Sequence, residues 1–375
     1  MGATMHLSQR WSSPFRLMWY DLPVFVLDNN SKESKLVTDW ILYEGSYKMI
    51  KNVVPIVSPV VNYLTYIQAY CGINWEIEDK VHKHEFLSDG DRSFMQACSV
   101  DLSFGDGSSA SLTQLFYFLP AYLFRENSEG FMEYFTCLAQ GHDAQTLSHL
   151  FELYSYHISR LQEFIPSFLS NRASLEHDDV LCKIKQLSII YKSNFLRYMQ
   201  FIWDTDRAII ERTCDYINEI FANYDIVGKW EDLTGFDLLS DQYQLIIVPS
   251  LQFGPCANSL HYGVNIFPAI TEYCSKYYFD HFISHEIGTH ILKPHTLDKV
   301  QVSEENYRIY YIAFENLAKH LNMKILSNKY QYELGEDYYE DSIFESIYNN
   351  LDALANDDIG SMYFTAIDQY KKLKS

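Results

Sequence analysis

The chain has 375 residues, 47% of them apolar and 21% charged, enough to bury a large core, which excludes an intrinsically disordered chain and a disulfide-stapled miniprotein. Its 29 Lys+Arg stand against 49 Asp+Glu, a net charge of −20, which argues against nucleic acid or an anionic membrane surface as a partner. Seven cysteines, Cys71, Cys98, Cys137, Cys182, Cys214, Cys256 and Cys274, include no C-x-x-C pair and read as thiols of a reducing compartment rather than a zinc knuckle.

In chain order, the stretch around Arg10 and Arg16 is followed by a short apolar segment interrupted by Asp21 and Pro23, which predicts no signal peptide. The uncharged run Asn52 to Trp75 is long enough to raise a membrane question. Pro55, Pro59, Asn62, Thr65 and Gln68 break it up, and the expectation is a chain that does not insert. From Lys35 to Tyr224 apolar residues recur at helical spacing, most clearly Val180, Ile184, Leu187, Ile190, Tyr191, Phe195, Tyr198 and Ile202, which predicts a mainly helical N-terminal lobe over 1–228. Past Gly228 and Gly235 the pattern changes. Tyr243–Val248 and Leu260–Phe267 read as two strands, closed by Pro249 and Pro268, and helical periodicity resumes near Ile270. The expected fold class is mainly α (α+β): two lobes sharing an interface, the second spanning 229–375 with a small sheet ahead of its helices. The 30 tyrosines and 24 phenylalanines read as core packing rather than a platform for stacked bases.

One string carries chemistry: Asp280-His281-Phe-Ile-Ser-His285-Glu286-Ile-Gly288-Thr289-His290. Two imidazoles and a carboxylate form the ligand set of a catalytic zinc site that keeps a position open for water, and Glu286 stands where it would take a proton from that water. The familiar spacing is H-E-x-x-H; here one residue is added. On an ideal α-helix five steps separate two side chains by ~140°, so chelation predicts a local i→i+5 widening, eased by Gly288. A third ligand is expected on the next helix, predicted over 303–321. Glu315 lies beside its apolar stripe of Tyr307, Tyr311, Phe314, Ala318 and Leu321, where a carboxylate calls for a cation. Glu304 and Glu305 are weaker candidates, since first-turn acids favour the helix dipole without a metal.

His285-Glu-Ile-Gly-Thr-His290 resembles the H-E-[IV]-G-T-H string of the microtubule-associated tyrosine carboxypeptidases and their bacterial relatives, whose next landmark, E-G-L-A, is similar to Glu315-Asn316-Leu317-Ala318. The resemblance implies a gluzincin-like catalytic lobe, one zinc per chain on His285, His290 and Glu315, and Glu286 as general base. It covers roughly Leu245 to Leu321. Asn316 stands where the family has glycine and Lys293 where it often has arginine, which keeps the charge and loses the bidentate fork; the family also continues further beyond this landmark.

The expected reaction is peptide hydrolysis by metal-activated water, with Glu286 handing its proton to the leaving amine. The expected activity is removal of a C-terminal residue, tyrosine-like, from a protein or peptide. That requires a cation for the terminal carboxylate, for which Lys293 and Arg308 are the nearest candidates. Tyr262, Tyr307, Tyr310 or Tyr311 would supply a hydroxyl to the oxyanion, His281 and His295 read as supporting or surface residues, and Leu260–Phe267 is either an edge strand that aligns an extended peptide or a plain core hairpin. Two alternatives stay open: a zinc aminopeptidase or endopeptidase of another H-E-x-x-x-H type, and a non-catalytic peptide-binding module on a peptidase fold. Ten acids and no base between Lys329 and Lys371 read either as a solvated face or as an acidic cover whose removal, by deleting 330–375, would raise activity. The compartment expected is cytoplasmic, and delivery into a host cell is equally compatible with the composition.

Overall fold

The uncharged run at Asn52 resolves, in the computed structural model, into a strand and a helix. β1 (Asn52–Ile56) contains Pro55, which has no N–H for a ladder, and it occupies one edge of the sheet, where that loss is tolerated. α1 (Pro59–Tyr70) opens with Ser58 as N-cap, accepting from the Val61 amide, and with proline at its first position. Nearly all of α1 is buried, and its polar residues are hydrogen-bonded inside the core: Asn62 donates to the Ser58 and Ile247 carbonyls, Thr65 to that of Val61 and Gln68 to the Tyr191 hydroxyl. Among the described residues no helix is long and apolar enough to cross a membrane.

The chain divides into two units, Met1–Lys48 and Met49–Ser375. The structure describes residues 51–75, 86–104, 111–140, 144–251, 257–270, 276–300, 304–326, 341–354 and 358–374, all in the second unit. The Arg10–Pro23 stretch, Cys256 and Cys274 lie outside them; the five described cysteines are free thiols.

The longer helices between β1 and β2 include α2 (Phe131–Gln140), α3 (Ser155–Phe164), α4 (Asp178–Phe201), α5 (Trp203–Phe221) and α6 (Ile226–Thr234). α4 buries Ile184, Leu187, Ile190, Tyr191, Phe195 and Tyr198, the stripe its spacing predicts. Asp225 caps α6 through the Gly228 amide, and Gly235, at φ 71°, ends it in the left-handed conformation that favours glycine. The described residues form a mainly helical α+β fold with one small mixed sheet.

That sheet has the order β1-β2-β4-β3, with β2 (Gln242–Val248), β3 (Asn258–His261) and β4 (Val264–Pro268). β2 runs parallel to both β1 and β4, while β3 returns antiparallel to β4. Of the two readings of Leu260–Phe267 the hairpin is found, because Gly263 takes φ 70° and turns the chain between β3 and β4. Residues on both sides of 228/229 belong to the Met49–Ser375 unit, and β1 pairs with β2 across that position.

The long helices of the last part, among the described residues, are α7 (Lys276–Leu292), α8 (Glu304–Ile325), α9 (Asp341–Leu354) and α10 (Ile359–Lys374). α9 and α10 pack on α8, burying Phe344, Ile347, Tyr348, Met362, Tyr363 and Ile367. The Tyr348 hydroxyl donates to the Ala313 carbonyl at 2.8 Å and that of Tyr363 to the Tyr310 carbonyl at 2.9 Å. From 341 onward the acidic stretch therefore packs into the core around Glu315, and acids such as Asp352 pair with His320 and Lys324. Most of Glu336–Asp341 lies outside the described residues.

Candidate metal centre

α7 is buried on all sides from Phe279 onward, with Phe279, Phe282, Ile283, Ile287, Ile291 and Leu292 packed beside the buried polar residues His281, Ser284, His285 and His290, and so it runs through the interior. It is regular α-helix from Lys276 to Leu292, without the widened turn expected between His285 and His290. Its polar side chains consequently point three ways, since residues four apart differ by only ~40° in direction.

His281 and His285 face α8. His285 Nε2 and Glu315 Oε2 are 3.0 Å apart, and both side chains are buried. Burial disfavours the imidazolium, but the Glu315 hydrogen bond and charge outweigh it and hold the His285 pKa above its ordinary value. One turn earlier, Asn322 of α8 donates to His281 Nδ1 and to the His281 carbonyl, each at 3.0 Å. The carboxylate predicted to sit beside the buried face is thus buried, at 8% exposure, against a histidine. Tyr307, expected in the same stripe, is 45% exposed. Asn316, in the position of the family's glycine, donates back to the Ile312 carbonyl at 2.9 Å.

Ser284 and Gly288 face α6. The Trp230 indole N–H donates to Ser284 Oγ at 3.1 Å, and a Cβ on Gly288 would lie 2.3 Å from the indole ring. Gly288 therefore serves the close approach of Trp230, not a distortion of the helix.

Glu286 and His290 face the sheet. Glu286 Oε2 accepts from Asn265 Nδ2 at 3.0 Å. Burial, together with the Glu315 charge, pushes the Glu286 pKa up to about 7 against the opposing effects of His285 and Asn265. His290 Nδ1 accepts the Gly263 amide proton at 3.0 Å, so its own proton is on Nε2, which donates to Ser259 Oγ at 2.8 Å. Phe164 and Tyr243 flank the ring, each with centroids 5.1 Å away. Burial, then the Lys293 charge, pull its pKa down to about 3.

A zinc ion at this place finds suitable donors in His285 and Glu315, which converge. His290 does not fit as placed: it lies on another face of α7 with both ring nitrogens engaged. Among the described residues no group of three His, Cys, Asp or Glu side chains is arranged to hold a metal ion.

The substrate-binding candidates are also dispersed. Lys293 donates to Asp298 and, at 2.9 Å, to the Phe164 carbonyl, with its ammonium over the Phe164 ring. Tyr262 donates to the same Asp298 and meets Phe164 edge-on at 5.0 Å, so these two candidates fasten the hairpin to α3. Tyr262 borders a groove of about 650 Å³ that Arg125, Arg160 and His261 also line. Arg308 is exposed on α8, and His295 stacks on Phe236 at 3.8 Å. β3 is an edge strand, and the end of α3 is attached to it through Glu163 and His261. Sequence reasoning missed Asn265, Ser259 and Trp230; the one legible signal is Asn265, a lone amide inside the apolar run Val264–Pro268.

The chain gives no significant match to any protein-family model, curated protein or solved structure.

Proposed function

We propose that the chain is a zinc-dependent metallopeptidase, a carboxypeptidase that removes a C-terminal residue from a protein or peptide. The observation that supports this most is the meeting of His285 and Glu315 between α7 and α8, with Glu286 next to His285 in the chain and its pKa pushed up to about 7 by burial. His285 and Glu315 would hold the metal, and His290 would join them only with a widening of α7 between the two histidines that turns its ring away from Ser259 and Gly263. Bound zinc supplies a Lewis acid that polarises the peptide carbonyl and acidifies water. Glu286 takes one proton and returns it to the leaving amine, a role suited to a carboxyl whose pKa is near the working pH. Asn265 orients that carboxylate. Lys293 is engaged by Asp298, so Arg308, on the same side of α8 as Glu315 and ~10 Å before it, is the better candidate for the terminal carboxylate of the substrate.

A second reading, a metal-free peptide-binding module, is favoured by the engagement of both His290 nitrogens. Metal analysis of wild type and Glu286→Gln, with mass spectrometry of peptides carrying varied C-termini, separates the two. The expected result is one zinc per chain in both proteins and trimming by wild type only. Zinc in neither protein sinks the catalytic reading, and internal or N-terminal cuts discard the carboxypeptidase assignment.

A further inference from the structure

Asn265 is fully buried in the middle of β4. One Nδ2 proton goes to Glu286 Oε2 at 3.0 Å and the other to the Tyr243 hydroxyl at 3.2 Å. The Nδ2 end of the amide thus lies between the Glu286 carboxyl and the Tyr243 hydroxyl. Its Oδ1 has no hydrogen-bond partner among the described residues. Buried carbonyl oxygens are rarely left so, because desolvation without a donor is costly. An acceptor held on the same carboxamide that grips the general base points to a donor brought by the substrate.

We propose that Asn265 contacts substrate directly: Nδ2 holds Glu286 in place while Oδ1 accepts the N–H of the scissile amide. The inference rests on the peptidase reading and adds the group that recognises the bond to be cut. In the reaction the water oxygen bonds to the acyl carbon and the C–N bond breaks. The proton taken from water passes through Glu286 to the departing nitrogen. That nitrogen must therefore come within reach of Glu286, and the N–H it already carries is the donor nearest Asn265. Selectivity for a bond with an N–H follows, against an ester or an N-methylated amide at the same position.

The test compares one peptide with its ester analogue at the scissile position, using wild type, Asn265→Ala and Asn265→Asp, with circular dichroism to confirm folding. The amide-to-ester ratio of kcat/KM is expected to fall about tenfold in Asn265→Ala, the worth of one hydrogen bond. In Asn265→Asp, whose carboxylate repels Glu286, kcat is expected to fall with KM little changed. An unchanged ratio in folded Asn265→Ala overturns the inference and leaves the peptidase reading intact. If neither variant folds, the measurement is wild type on the N-methylated amide: a loss of about tenfold or more is expected, and equal turnover overturns the inference. Wild type that cleaves none of these peptides removes the peptidase reading and this inference together.

Discussion

His285 and His290 stand five residues apart on one helix in opposite surroundings. His285 faces the carboxylate of Glu315, which raises its pKa; His290 faces the β3–β4 hairpin and Lys293, and its pKa drops to about 3. One imidazole is ready to be a cation and the other is held neutral, with its proton fixed on Nε2 by the Gly263 amide. A regular helix explains the contrast, since five steps turn the side chain ~140° away. Two residues of the same type in one motif thus acquire different chemistry from the elements packed on each face.

The most severe break of the α8 side is truncation after Leu326, which removes α9 and α10 and uncovers the helix that carries Glu315. A cooperative thermal transition should disappear, and a folded, more active product would instead support the acidic-cover reading. Gly288→Ala attacks the third face: its methyl meets the Trp230 ring, and overpacking of this kind costs about 3 kcal/mol. Urea denaturation of the metal-free protein should show that loss with an unchanged m-value.

His290→Phe sharpens the sheet side. It leaves the Gly263 amide without its acceptor, at about 2 kcal/mol near pH 7. The wild type should also lose stability in acid. The folded-state pKa of His290 is depressed from 6.5 to about 3, so its contribution is full above the unfolded value and drains as pH falls through that window. The slope from this residue is about 1.4 kcal/mol per pH unit, and it should be missing in the variant. Equal acid slopes in the two proteins would contradict the placement of His290.

The smallest effect is on the α8 side. Glu315→Gln removes the charge that holds the His285 pKa up, leaving burial to lower it, and imidazole NMR in metal-free protein should follow the fall. In wild type the raised pKa stabilises the fold below the ordinary histidine value, and that part is lost as pH rises through the folded-state pKa. The variant should lack this decline. An unmoved His285 resonance would mean that Glu315 is not its partner.

Periodicity alone reveals α4 and α8, because a stripe at 3.6-residue spacing has one burial solution. Strand β1 is illegible because Asn52–Ile56 is short, contains a proline and pairs with residues nearly two hundred positions away. The hairpin turn at Gly263 hides inside an apolar run, and Gly288 looks like a hinge until Trp230 is seen against it.

The sequence by itself determined the helical class, the acidic surface and the His-Glu-His-Glu residues, since composition and local spacing act within a few turns of chain. Tertiary packing decided that Glu315 meets His285, that Asn265 meets Glu286 and that His290 turns to Ser259 and Gly263. Each of those contacts joins different elements, and the direction in which a regular helix presents a side chain acquires chemical meaning only when its neighbours are in place.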